Sequence, residues 1–324
     1  MGLISRPHDK FFKETLGDIN TAKDFMKNYL PKEVLEVIDL ETLTQQKDSY
    51  IEKELEETFS DLLFKTKIKE KEGYIYFLFE HKSYPSHKIT IQLLKYMTKI
   101  WEQKINKEKK KKLPIIIPLV VHHGKNRWNI SLKLSGIIEN YDKLPNTITK
   151  YISDYEYILY DLSDYKDEEI KGNIKLKIFL KILRDIFKKD YEEFIEALRE
   201  SIIALDKLEK QEKGIEYFET FIRYIMNTRN DLDIEVVYDI AKEISVERSE
   251  VIMSIAEKLI KEGMEKGIKV GMEKGIKEGI KEGMEKTAKS ALRKGASLEF
   301  VADITGLPMS KLKEIQKKVK NEKN

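Results

Sequence analysis

Residues 60–82 read S-D-L-L-F-K-T-K-I-K-E-K-E-G-Y-I-Y-F-L-F-E-H-K. Two runs of strand character flank E-K-E-G at Glu70–Gly73, a pattern that predicts a hairpin turning there. The first run opens on a carboxylate, Asp61, and the second closes on Glu80 and Lys82. Residues i and i+2 of a strand share a face, so Glu80 and Lys82 are expected to point one way and His81 the other. The hairpin can bring Asp61 near that pair. Two carboxylates beside an ammonium can hold a divalent cation and activate water against a phosphodiester. Asp61 and Glu80 are therefore the predicted metal ligands, with the His81 backbone carbonyl near the ion. Mg²⁺ is the expected metal, with Mn²⁺ or Ca²⁺ as alternatives. Lys82 would orient or deprotonate the attacking water, or neutralise charge building on the phosphate. From spacing alone, an ordinary surface hairpin with charge pairs fits as well.

Outward from the hairpin, Ile89–Lys104 predicts an amphipathic helix whose apolar side is Ile89, Leu93, Met97 and Ile100. Gln92 and Tyr96 lie four apart and share one face, where they can bind a phosphate or steady the nucleophilic water. Leu113–His122 reads as a buried strand, although Pro114 and Pro118 count against a central position. His122 and His123 follow as potential ligands, but no third ligand stands at zinc spacing. His122–Gly124 is read as ending the strand near the active edge, and Trp128 as packing the loop beyond. Upstream, Asp9 either caps the first turn of a helix over Asp9–Leu16 or adds a further acidic group to the site.

The remaining pattern divides the chain. Residues 1–165 alternate helices (Asp9–Leu16, Thr21–Tyr29, Ile89–Lys104) with strands (Leu62–Lys69, Tyr74–Lys82, Leu113–His122, Tyr155–Leu162), an α/β plan; Val34–Leu43 stays open. Residues 166–259 turn helical, with periodic segments at Ile174–Phe187, Tyr191–Ala204, Gly214–Met226 and Asp233–Ala256. In residues 260–286 glycines recur at 263, 267, 271, 275, 279 and 283, each followed by Met or Ile. A period of four exceeds 3.6, so such stripes drift around a helix, and each glycine costs about 1 kcal/mol of propensity. The repeat is either a helix that packs against another chain or a low-complexity tether. Residues 287–324 form a small helical module, with helix starts at Ser297 and Ser310 and Gly306 as the turn between them. That outline suits a helix-turn-helix or a capping module.

Composition sets bounds. With 41% hydrophobic residues in 324, the chain can build a core and more than one domain. It has no cysteine, which excludes disulfides and thiolate chemistry. No apolar run approaches the ~20 residues of a membrane span, and the N-terminus lacks a secretion signal, so no membrane role and a cytoplasmic location are expected. The 60 basic and 57 acidic residues nearly cancel at +3, so any nucleic-acid contact must come from local blocks such as Lys104–Lys112.

Taken together these segments resemble one family. H-D-K-F-F-K from His8, Leu30-Pro31, I-D-L-E-T-L from Ile38, S-D-L-L-F from Ser60 and F-E-H-K-S from Phe79 carry the match. It continues in Q-L-L-K-Y-M-T-K-I-W from Gln92, P-I-I-I-P-L-V-V-H-H-G from Pro114 and A-D-I-T-G-L from Ala302. The chain resembles the Rpn family of recombination-promoting nucleases, also described as transposases, within the PD-(D/E)xK restriction-endonuclease-like superfamily. The resemblance implies a restriction-endonuclease-like mixed-sheet core with a helical extension, the glycine-repeat helix and the small C-terminal helical module. It also implies a bacterial, metal-dependent endonuclease acting on double-stranded DNA. In it Asp61 and Glu80 are the catalytic acids, Lys82 takes the superfamily lysine position, and Gln92 and Tyr96 match a Q-x-x-x-Y helix motif. Ser60 stands where the superfamily signature has proline, and Lys82 where many members carry glutamine. Making two breaks invites two active sites and hence a homodimer or higher oligomer. The rival readings are a catalytically inactive DNA-binding protein on the same scaffold and a scaffolding protein.

Overall fold

The computed structural model describes residues 7–46, 60–80, 88–188, 190–212 and 215–321, without the side chains at 60, 61, 79, 80, 209–212, 215 and 216. Ser49–Glu57, read as helical or irregular, lies outside these residues. Ile4–Ile255 forms one compact unit, and Ala256–Asn324 forms the other.

The first unit starts with helices α1 (Pro7–Leu16) and α2 (Ile19–Tyr29). Asp18 caps α2, its side chain accepting from the Thr21 N–H at 3.2 Å. Strands β1 (Ile38–Gln46), β2 (Ser60–Ile68) and β3 (Lys71–Glu80) follow, then α3 (Lys88–Asn106), β4 (Ile115–His122) and β5 (Ile158–Asp161). The five strands lie side by side in chain order. β1, β2 and β3 pair antiparallel, while β3, β4 and β5 pair parallel. A parallel pair needs a crossover, and α3 supplies the one between β3 and β4. The result is the mixed-sheet α/β core of a restriction-endonuclease-like fold.

Two details of this sheet differ from the sequence reading. Ile68 pairs with Lys71, so the turn is Lys69-Glu70, with φ of 45° and 62°, and not Glu70–Gly73. Two positive φ values mark the tight hairpin turn usually written Asn-Gly, a cue that Lys-Glu does not give. Gly73 sits inside β3, where a Cβ would come within 2.4 Å of the Ile68 Cδ1. Its glycine serves close packing, not the turn. The second difference is Pro118, which lies within β4 between two neighbours. β5 pairs only from Leu119 onward, so the strand has a single partner at the proline, as an edge has. The open segment Val34–Leu43 divides: Val34 and Leu35 end a short helical turn over Lys32–Leu35, and Ile38–Leu43 begin β1, which is bound to β2 with a register break between Asp39 and Thr44.

Alternation divides the sheet's side chains. Tyr74, Tyr76 and Leu78 of β3, with Leu63 and Val120, bury one face under Ile89, Leu93, Tyr96, Met97 and Ile100 of α3. On the other face Phe77 meets Phe25 of α2 at 5.6 Å and Phe64 of β2 at 5.4 Å. Phe11 and Phe12 of α1 reach Phe179 of helix α4 (Ile174–Asp185), so the helical extension completes that second layer. Helices α5 (Tyr191–Glu212), α6 (Ile215–Thr228) and α7 (Ile234–Ile244) follow. The helix expected over Asp233–Ala256 is interrupted at Ser245, which is extended at φ −161°, ψ 129°.

At the turn end of the hairpin, Glu72 gathers three ammonium groups: Lys104 at 2.9 Å, Lys110 at 2.9 Å and Lys65 at 3.0 Å. Two lysines of the basic block are therefore spent on an internal carboxylate, and Lys104 is buried at 1% exposure. Burial alone would push the Glu72 carboxyl up, but its hydrogen bonds from Lys110, Lys104 and Lys65 hold it well below the usual carboxylate range. A lowered folded pKa gives stability that is present above the unfolded value of about 4.3 and lost as pH falls beneath it. Melting temperature is expected to drop below about pH 4.3, and Glu72→Gln should melt lower at pH 7 with a shallower acid slope. Calorimetry across pH 2–7 of the two proteins checks this.

The second unit contains most of helix α8 (Val246–Arg293), then α9 (Leu298–Thr305) and α10 (Met309–Asn321). The glycine repeat is helical throughout, and a Cβ added at any of its six glycines would meet nothing within 4 Å. Its Met and Ile residues stand in solvent, as a stripe that winds around the helix must. Ala288, Leu292, Val301, Leu312, Ile315 and Val319 form a small core. Ser297 caps α9 and Gly306 ends it at φ 66°, as read from the sequence. Ser310 instead lies within α10, which begins one residue earlier. Among the described residues no helix is long and apolar enough to cross a membrane.

Candidate active site

Backbone register locates the hairpin's chemistry. Asp61 pairs with Leu78 across β2 and β3, so it shares a face with Leu78 and with Glu80 two residues on. Asp61 and Glu80 are thus diagonal neighbours, a relation that sets Cα atoms about 7 to 8 Å apart. Glu80 in turn lies beside His122 in the parallel pair of β3 and β4, and His122 beside Asp161 of β5. The side chains of Asp61 and Glu80 and the whole of His81 and Lys82 lie outside the described residues.

The face that carries Asp61 and Glu80 is the one α3 covers. Tyr96 stacks at 4.9 Å on Tyr76, four residues before Glu80 on β3. Gln92, one helical turn earlier, has its Nε2 buried without a hydrogen-bond partner among the described residues. The structure thereby brings the predicted Gln92 and Tyr96 onto the same layer as the two carboxylate positions.

His122 belongs to this layer as well. It is fully buried, and its Nε2 lies 2.9 Å from the Asn126 carbonyl oxygen. Trp128 stands edge-on to its ring at 5.0 Å, and the Trp128 N–H donates to Asp161 Oδ2 at 2.7 Å. Tyr157 accepts from the Trp128 indole N–H at 3.2 Å and donates to the Ser131 carbonyl at 3.0 Å. Burial pushes the Tyr157 phenol up to about 12, so this brace keeps its proton at neutral pH. Trp128 packs the loop after β4, as the sequence suggested.

Asp9 occupies the first turn of α1 and is buried at 8% exposure. Its neighbour His8 touches His123 at the end of β4, with Nδ1 to Nε2 at 3.1 Å, and Tyr224 of α6 at 3.0 Å. His123 follows His122 in the chain, which puts it on the opposite face of the strand. Periodicity in the sequence marks Tyr224 only as a helical residue; its position beside two histidines depends on packing between remote segments. Among the described residues no group of three or more His, Asp or Glu is placed to hold a metal ion.

A mixed sheet with two acidic positions diagonal on a hairpin, under a helix bearing Gln92 and Tyr96, defines a nuclease-like α/β protein of the PD-(D/E)xK type. The family described as "Putative transposase, YhgA-like" matches residues 6–213, and the chain belongs to it. Its relatives include recombination-promoting nuclease RpnD of Escherichia coli O157:H7, 28% identical over 79% of this chain and 94% of the relative. Recombination-promoting nuclease RpnA of Escherichia coli strain K12 is 28% identical over 80% of this chain and 85% of its own. The inactive recombination-promoting nuclease-like protein RpnE of the same strain is 25% identical over 80% and 83%. Relatives named as nucleases and one named as inactive thus match the chain at similar identity. No solved structure matches the chain.

Proposed function

We propose that the chain is a divalent-metal-dependent endonuclease of double-stranded DNA that promotes recombination. The observation that supports this best is the register that sets Asp61 diagonal to Glu80 on the face under α3. Two carboxylates suit a hard cation, and the buried Gln92 Nε2, with no hydrogen-bond partner among the described residues, leaves an N–H donor on α3 for a substrate oxygen. Asp61 and Glu80 would hold Mg²⁺, with Mn²⁺ or Ca²⁺ as substitutes. Once bound, such an ion lowers the pKa of a water and neutralises phosphate charge. Lys82 would orient or deprotonate that water, and the Gln92 amide would donate to a non-bridging phosphate oxygen. Asp9 would add a further acidic group from α1, which packs in the layer on the other side of the sheet. In this reading the protein works in the cytoplasm, where two copies place one site on each DNA strand.

Incubation of supercoiled plasmid with the full chain tests the reading. Mg²⁺ should yield nicked and linear products, and excess EDTA should stop their formation. A second reading has its own support, the inactive relative RpnE at 25% identity. It holds that the chain is a catalytically inactive DNA-binding or scaffolding protein on the nuclease fold. Retention of the plasmid without any break in Mg²⁺, Mn²⁺ or Ca²⁺ would favour it.

A further inference from the structure

His122 stands next to the acidic pair in the β3–β4 register, and its two ring nitrogens have different surroundings. A carbonyl oxygen only accepts, so the 2.9 Å contact with Asn126 requires the proton on Nε2. In a neutral imidazole the other nitrogen then presents a lone pair. That Nδ1 is buried and has no hydrogen-bond partner among the described residues, in a residue with 0% exposure. A buried polar atom left unmade is costly, and such atoms generally have a partner that explains them. Histidines that ligate metals show this arrangement: one nitrogen on the ion, the other N–H donated to a carbonyl that fixes tautomer and ring direction. Trp128 packed edge-on at 5.0 Å further limits the ring.

We propose that His122 supplies a nitrogen ligand, through Nδ1, to the divalent ion held by Asp61 and Glu80. The inference rests on the hydrolytic reading and specifies its metal. Register is the second support: His122 lies beside Glu80 on the same face, so the three residues occupy neighbouring positions on β2, β3 and β4. An imidazole in place of a water or a third oxygen favours Mn²⁺ and Co²⁺ over Mg²⁺, which prefers all-oxygen shells and dehydrates reluctantly. The site would therefore select a transition-metal ion where both kinds are present.

Pulsed electron paramagnetic resonance of Mn²⁺ bound to the full chain reads imidazole nitrogen directly, without any variant. The wild-type protein should show ¹⁴N modulation from one imidazole. That modulation should vanish in His122→Gln and persist in His123→Gln and His81→Gln. Mn²⁺ affinity should fall about tenfold or more in His122→Gln, since even outer-shell partners of such ligands are worth 10- to 100-fold. Asp61-dependent Mn²⁺ binding with no imidazole modulation, or modulation that survives His122→Gln, overturns this proposal and leaves the hydrolytic reading in place. Mn²⁺ binding that Asp61→Ala does not alter overturns both.

Discussion

Asp61→Ala and Glu80→Ala should each reduce DNA cleavage on the order of 10³-fold or more while leaving the chain folded. A bound ion contributes several kcal/mol of charge stabilisation to phosphoryl chemistry, and each 1.36 kcal/mol is a factor of ten in rate. Losing either carboxylate removes most of that contribution. Folding should survive, because Asp61 and Glu80 lie at the end of the hairpin away from its turn, and neither substitution removes an apolar side chain of the buried cluster under α3. Plasmid nicking measured beside circular dichroism separates the two effects. Equal cleavage by either variant would remove these residues from the chemistry.

The largest structural effect is expected at Phe77→Ala. Phe77 is fully buried at the centre of β3, between Phe25 of α2 and Phe64 of β2. Truncating a buried phenylalanine forfeits transfer energy and leaves a cavity, together about 3 to 5 kcal/mol. For a unit of this size that corresponds to a melting shift of roughly 6 to 20 °C. Thermal unfolding followed by circular dichroism measures it. A shift of a degree or two would mean that this face of the sheet is not the packed layer described above. The same substitution at Met264, in the exposed glycine repeat, should change melting little.

How far the sequence led differs from element to element. The acidic hairpin, the amphipathic α3 and the α4–α7 helices were legible because each carries its own period of 2 or 3.6 along the chain. The Ser297 cap and Gly306 terminator were legible because caps are local chemistry. The turn at Lys69-Glu70 was not, since its positive φ values are imposed by the pairing of β2 with β3 and not by residues that favour them. β1 was hidden because its bond to β2 is broken in register and its burial pattern does not alternate cleanly. Pro118 argued against a central strand, and only the late start of β5 explains why it is tolerated. In the candidate site, Gln92 and Tyr96 could be placed from helical spacing alone. His122 could be named but not assigned, because its neighbour is Glu80, 42 positions away in sequence and adjacent only through the β3–β4 register. The contact of His8 with His123 and Tyr224 is of the same remote kind.

Equilibrium binding of Mn²⁺ to the wild-type chain, Asp61→Ala, Glu80→Ala and the double variant measures most directly whether one hairpin assembles one ion site. A single ion per chain should bind the wild type, each single variant should lose most of that affinity, and the double variant should lose little more, because both carboxylates serve the same cation. Losses that simply add, or an ion that ignores both substitutions, would mean that the strand ends at Asp61 and Glu80 do not converge on a shared centre.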